Sequence, residues 1–409
     1  MVECAGSLAH DAGIMKPSVH LALASLWLFT LSLPAAAPKP NSLTPEEVSS
    51  GWLLLFDGEG LFGWAPRGEA RWEVADGVIR PKAGSGGGLL STTTEFADYQ
   101  LHVEFWIDKQ ANSGVFLRGP TSGDITLSNA YEVNIFDAHA KWPTASLSGI
   151  AQPKRKAKTV GKWNSFDLTV RGNYFLVELN GKTALEAEDG RHARGVIALQ
   201  QLDGKGEIRF RNLKLRPLGL KSLFNGKDLK GWTLIPDRKS VYSVTPQGWL
   251  NVKNGNGDLQ SNAEYGDFVF QLDILSNGTH LNSGVFFRAE KGQFWSGYES
   301  QIRNQWEGDD RAKPVDYGTG GIYNRQPARR VVSSDREWFT MTMAAQGPHL
   351  ATWVNGIQVT DFTDPRPSND NARQGYRAKA GVVSLQGHDP TTDLCFRNLQ
   401  IAELPPARP

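Results

Sequence analysis

Apolar and polar positions alternate one for one along much of the chain. Tyr99, Leu101, Val103, Phe105 and Ile107 are separated by Gln100, His102, Glu104, Trp106 and Asp108, and Phe268, Phe270, Leu272 and Ile274 by Val269, Gln271 and Asp273. A period of two places each set on its own face of an extended segment, so these stretches predict half-buried strands. Asn180-Gly181 and Asn355-Gly356 lie between apolar runs. That dipeptide favours the tight hairpin turn whose two central residues take positive φ. Helical periodicity is confined to Thr44–Ser49, where Pro45 and two Glu suit a helix start. The pattern predicts an all-β chain.

The same pattern is written twice, about 170 residues apart. Leu55-Phe56-Asp57-Gly58 through Gly63-Trp64 answers Leu223-Phe224-Asn225-Gly226 through Gly231-Trp232. Asn112 to Arg118 (NSGVFLR) answers Asn282 to Arg288 (NSGVFFR), and Tyr131-Glu132 answers Tyr298-Glu299. Trp163 to Gly181 mirrors Trp338 to Gly356, Gly195 to Gln200 mirrors Gly381 to Gln386, and Phe210 to Leu213 mirrors Phe396 to Leu399. Each unit is too large for a solenoid repeat, and its many short strands predict a β-sandwich or jelly roll. The boundary falls near Pro217–Leu220, too short for a tether, so two abutting domains are expected over 48–217 and 218–405, with a ligand cleft between them as one arrangement.

Composition narrows the chemistry. The 409 residues suffice for sizeable cores, and 44 Lys and Arg against 43 Asp and Glu give no basic field to draw a nucleic acid. Val19 to Leu33 is nearly all apolar, follows Lys16 and runs into Pro34-Ala35-Ala36-Ala37, the layout of a secretory signal over 1–37, followed by a linker over 38–47. Met15-Lys16 would itself begin a conventional signal, which makes the fourteen residues before it an over-long start. At roughly 15 residues the apolar run is shorter than a bilayer span, and no later stretch approaches one, so export to the periplasm or medium without membrane insertion is expected. Cleavage would leave Cys395 alone, hence no internal disulfide, and its place between Leu394 and Phe396 reads as a small buried hydrophobe.

Taken together, the LFDG and LFNG openings with their following GW, NSGVFLR and NSGVFFR, YEVNI and YESQI, the GGIY of Gly320–Tyr323 and the closing FRNL resemble the 3-keto-disaccharide hydrolase family. No single motif is specific, but their shared order, twice over, spans nearly all of residues 48 to 405. The resemblance implies a concanavalin A-like jelly roll in each domain, a concave sheet face that binds carbohydrate, and hydrolysis of glycosides whose sugar carries a ketone at carbon 3. Such a ketone acidifies the hydrogen at carbon 2; a base removes it, the enolate expels the group at carbon 1, and water adds back. That needs a base, donors for the enolate oxygen and an acid for the leaving group, rather than two opposed carboxylates.

Strand alternation puts Phe116 and Arg118 on one face, and Glu132 and Asn134 opposite Tyr131, Val133 and Ile135. The second unit offers Arg288, Glu299, Gln301 and Arg303 at the matching places. The alternative for this recurrent Arg and Glu is a cross-strand ion pair that only fixes register. The second domain carries Tyr323 and His388 where the first reads Ala151 and Leu202. Catalysis is therefore expected in the second domain, with Glu299 or His388 as base and Arg288 and Tyr323 on the sugar oxygens. Asn282, Gln301 and Trp306 are candidate binding residues there, and Arg118, Glu132, Asn134 and Asp137 in the first domain. Loop Trp142 and Trp295, beside His139 in one case, could stack on sugar or simply pack.

Gly84 to Gly88 precedes no helix and reads as a loop, and the basic run Lys154–Lys158 as a solvated one. No metal-ligand spacing and no cofactor motif is present; a calcium ion held by scattered loop carboxylates would leave no such spacing. Three readings remain at this point: a glycoside-cleaving enzyme, a tandem carbohydrate-binding protein that gains avidity without chemistry, and a scaffold for a protein partner. Oligomeric state is not encoded in any of these patterns.

Overall fold

The computed structural model describes residues 39–406, so the apolar run Val19–Leu33 lies outside the described residues. Apart from one short helix, Pro45–Ser49, the regular structure is β. Thr44 and Glu47 close that helix with reciprocal side-chain-to-backbone bonds, which satisfies N-terminal donors a helix leaves open.

Each half is a sandwich of two antiparallel sheets. In the first, Trp64–Gly68, Gly88–Thr92, Val196–Gln201, Ser113–Gly119 and Tyr131–Ile135 lie side by side in that order. The facing sheet runs Lys182–Glu188, Tyr174–Leu179, Trp163–Arg171, Tyr99–Ile107, Ile208–Pro217, Val78–Pro81, Trp72–Ala75. The second half repeats the layout with Trp232–Leu234, Gly257–Tyr265, Gly381–Gly387, Ser283–Ala289 and Tyr298–Ile302 in one sheet and Phe268–Ser276 and Asp393–Glu403 central in the other. The fold is two tandem concanavalin A-like jelly rolls, as the alternation and the resemblance predict. Along Tyr99–Ile107 every odd position is buried and every even one partly exposed. Asn180-Gly181 and Asn355-Gly356 take positive φ at both residues, the mirror-image turn that suits strand twist.

The halves abut. Val269, Ala344, Ala351 and Trp353, all on the outer face of the second domain's larger sheet, are buried in one cluster with the first domain's core. This explains why Val269 interrupts the polar side of its strand. Polar contacts reinforce the join: Leu54 donates its N–H to the Gly356 carbonyl at 2.7 Å, Gln346 Oε1 accepts from the Glu95 N–H at 2.7 Å, and Arg330 pairs with Asp57 at 2.8 Å. A cleft of about 770 Å³ does open between the halves, lined by Phe96, Pro217, Tyr265, Val269 and Leu404 among others, but none of the residues nominated from sequence lines it. Among the described residues no helix is long and apolar enough to cross a membrane.

Candidate functional site

The outer face of the second domain's five-stranded sheet carries two rows of side chains set by register. One row runs Asp258, Gln386, Gly284, Gln301, and the next runs Gln260, Ser384, Phe286, Glu299. Residues two apart on a strand share a face, so both rows point the same way. Gly284 has no side chain, and a Cβ there would meet Glu299 Oε1 at 2.5 Å; the glycine of NSG leaves the room into which the carboxyl folds.

Glu299 is only 4% exposed. Burial pushes its carboxyl up to about 7, with the nearby Asp258 and Asp316 adding to the rise and Arg373 opposing it. Arg373 donates from Nη2 to Glu299 Oε2 at 3.1 Å. Its guanidinium also lies 4.3 Å from the Trp295 ring centroid and 5.6 Å from that of Tyr323. Tyr323 donates its backbone N–H to the Glu299 carbonyl at 2.9 Å, so it borders the same spot. Asp258 accepts from the Trp295 N–H at 2.9 Å, and burial lifts its carboxyl to about 6. On the adjoining row Gln301 and Asn282 both donate to Asp316 Oδ2, at 2.9 and 3.0 Å.

Five buried polar atoms on this face have no protein partner: Asp258 Oδ1, Gln301 Oε1, Ser384 Oγ, Gln386 Oε1 and Arg373 Nε. Buried polar groups are nearly always paired, and a cluster of exceptions marks a place where solvent or a ligand supplies the partners. The face thus presents two carboxyls lifted toward neutrality, Glu299 and Asp258, the Arg373 cation, a phenol, and several uncommitted donors and acceptors, in a wall of Phe286, Trp295 and Tyr323. Among the described residues no grouping of His, Cys, Asp and Glu suits a metal ion.

The structure therefore brings together Glu299, Tyr323, Gln301 and Asn282. It does not bring Arg288 there. The ladder slips between Phe286 and Ala289, and Arg288 takes φ 47°, so its side chain leaves the face that alternation assigns to it. Arg288 is fully buried, donating to the carbonyls of Gly266, Gly347 and Arg377 and pairing with Asp267 at 2.8 Å. Arg118 does the same in the first domain with the carbonyls of Ala97, Gly172 and His192 and with Asp98. The recurrent Arg is thus a fastener of loops in both copies. His388 stands exposed past the strand end with its ring on Asp389 at 2.9 Å, and no contact joins it to Glu299. Trp306 stacks on Arg311 at 4.1 Å and is likewise not joined to the cluster.

In the first domain Glu132 and Asn134 occupy the places of Glu299 and Gln301. Asp137 is taken up by Thr144 and Thr159, and Asn134 donates to the Trp142 carbonyl. The counterpart of Tyr323 is Ser148 rather than Ala151, because Ser148 N–H bonds the Glu132 carbonyl just as Tyr323 N–H bonds that of Glu299. Sequence reasoning missed Arg373 and Asp258. The one available signal for Arg373 was loop length: residues 364–380 stand where the first domain has only 189–195.

Comparison with known proteins now decides the family. A family profile described as "3-keto-alpha-glucoside-1,2-lyase-like domain" matches twice, over residues 51–216 and 219–402. The chain belongs to this family. A 3-keto-disaccharide hydrolase from Bacteroides thetaiotaomicron is 28% identical over 127 residues, 28% of this chain and 42% of the relative. The match thus spans less than half the length of that curated relative. Solved structures with likeness include a glycosyl hydrolase candidate from Parabacteroides distasonis (22% identity, 44% of this chain, all of that one, TM-score 0.39). A carbohydrate-binding module from Bacillus subtilis is also similar (19% identity, 37% and 94%, TM-score 0.31). The family member thus carries two copies of the 3-keto-alpha-glucoside-1,2-lyase-like domain in tandem.

Proposed function

We propose that this family member cleaves 3-keto-glycosides on the second domain's open sheet face, with Glu299 as the base. The observation that supports this most directly is a buried carboxyl held at about 7 beside Arg373, on a face with unpaired polar atoms. A base works best when its proton affinity lies near the working pH, so the raised carboxyl is better matched to a carbon-bound proton than an ordinary glutamate. Glu299 takes the proton at carbon 2 of the sugar. Arg373 and the Tyr323 hydroxyl hold the oxygen at carbon 3 as it gains charge. The C1–O bond then breaks, a double bond forms between carbons 1 and 2, and the ketone is restored. Asp258, held at about 6, gives the departing oxygen a proton, and water adds to carbon 1 while carbon 2 regains a hydrogen. Gln301, Asn282 and Gln386 fix the hydroxyls.

The test is cleavage of 3-keto-glucosides of both anomers and of their unoxidised parents in deuterated buffer. The expected result is cleavage of the keto forms alone, deuterium at carbon 2 of the released sugar at early times, and a loss of about 10²- to 10⁴-fold in kcat for Glu299→Gln. Cleavage of the parents with carbon 2 unlabelled, or an unchanged Glu299→Gln, overturns the reading; retention of glycan without turnover makes this a binding protein. We infer that the chain is exported through Val19–Leu33, which fractionation of expressing cells checks.

A further inference from the structure

We propose that the first domain's open face is a second, non-catalytic carbohydrate site that takes one neutral hexopyranose unit. This goes beyond the reading above and stands whether or not the second domain cleaves. A groove of about 290 Å³ lies on that face, at the lower end of the roughly 300–1,000 Å³ of small-ligand pockets. Its register repeats the second domain's. Gln200, Gly114 and Asn134 make one row and Ala198, Phe116 and Glu132 the next, and a Cβ on Gly114 would meet Glu132 Oε1 at 2.6 Å. The recognition elements are thus kept in place.

What changes is the machinery for charge. Leu89 stands where the second domain has Asp258, Ala198 where it has Ser384, and Ser148 where it has Tyr323. No cation takes the place of Arg373, and among the described residues no ion pair reaches Glu132. Arg194, in the shortened loop, turns instead to Asp267 at 2.8 Å across the domain junction. With no guanidinium beside Glu132 the face lacks the cation that would hold an enolate oxygen, and its nearby cations are turned elsewhere, Arg67 to Ser91 and the Thr121 and Gly123 carbonyls and Lys141 over the Trp142 ring.

The walls, by contrast, suit a sugar ring. Only six large hydrophobic side chains among the described residues are exposed, and three of them flank the two faces: Leu127 at 45% and Leu202 at 48% here, and Trp295 at 47% beside Arg373. Clustered exposed apolar groups mark binding surfaces. With Phe116 and Trp142 they form an apolar patch, while Glu132 and the unpartnered Gln200 Oε1 offer polar contacts. A pyranose has that same division between its C–H face and its hydroxyl rim. Without Arg373 there is nothing to favour a ketone over an alcohol at carbon 3.

The test uses full-length Glu299→Gln, 5-fluorotryptophan labelled, titrated with methyl glucopyranosides and their 3-keto forms, the Trp142 resonance being assigned through Trp142→Phe. A saturable shift of Trp142 is expected, alike within about threefold for keto and parent sugars, and weakened at least tenfold by Leu127→Asp with Leu202→Asp. Glu132→Gln provides a second variant should that pair fail to fold, and is expected to weaken binding severalfold. An unmoved Trp142, or binding indifferent to both variants, overturns the proposal. Because cleavage is read separately with Glu299 present, failure of the enzyme reading leaves this result standing, and the converse holds too.

Discussion

Arg373 donates to Glu299 at 3.1 Å while stacking 4.3 Å from the Trp295 ring, so a single loop residue ties the buried carboxyl to the aromatic wall. That cation opposes the rise that burial imposes on Glu299. Removing it in Arg373→Met therefore raises the carboxyl above about 7. A base must be ionised to act, so the acid limb of kcat/KM moves to higher pH. On a nitrophenyl 3-keto-glucoside, whose leaving oxygen needs no proton from Asp258, activity at pH 7 falls at least tenfold and recovers in part near pH 9. A pH profile with its limb unmoved would separate Arg373 from the base.

Asp258 and Glu299 both titrate near neutrality, and as neighbours they act as a pair whose apparent values belong to both. The wild-type profile is expected to be a bell centred between about 6 and 7. In Asp258→Asn the alkaline limb disappears. The loss is expected to be large for a disaccharide, whose leaving oxygen needs a proton, and small for a nitrophenyl 3-keto-glucoside, which does not. Equal losses on both substrates would remove Asp258 from proton transfer.

The raised Glu299 also has a thermodynamic sign. Its proton affinity in the fold exceeds its ordinary 4.5, so its contribution to stability is present below about 4.5 and is lost as pH rises through about 7. Glu299→Gln removes that loss. The variant should be more stable than wild type at pH 8.5, by up to about 3 kcal/mol, and the gain should shrink toward pH 5. Denaturant midpoints at the two pH values measure it.

Arg118 and Arg288 each hold three backbone carbonyls and an aspartate while almost wholly buried. Replacing either by Leu leaves those acceptors and the aspartate unpaired, at a cost of about 3–5 kcal/mol. The rate per folded molecule should be unchanged. His388→Ala, at an exposed ring, should alter neither stability nor rate beyond about twofold. Active protein counted by titration separates the two effects.

Strand positions were legible because alternation and Asn-Gly turns are short-range: the pattern along Tyr99–Ile107 translates directly into burial. The repeats made the duplicated jelly roll legible, and Glu299 with it. Arg288 was misplaced because a bulge inverts alternation within three residues of a correctly read strand. Asp258 became visible only through its register with Gln386, a pairing between residues far apart in the chain. Arg373 sits in a loop that is much longer than its counterpart in the other repeat, so only that extra length could announce it. Tyr323 was paired with the wrong partner because the short run around Gly320 aligns as well three residues away.

The join between the halves is asymmetric: the second domain's outer sheet meets the opening segment of the first. Such a head-to-tail contact could in principle propagate from chain to chain as a fibre. The acidic residues that receive Arg329 and Arg330 are Asp57 and Glu59. At the matching points of the second repeat stand Asn225 and Lys227. The second repeat thus lacks the carboxylates that receive Arg329 and Arg330, and the ion pairs that close this join have no equivalent on its own opening segment.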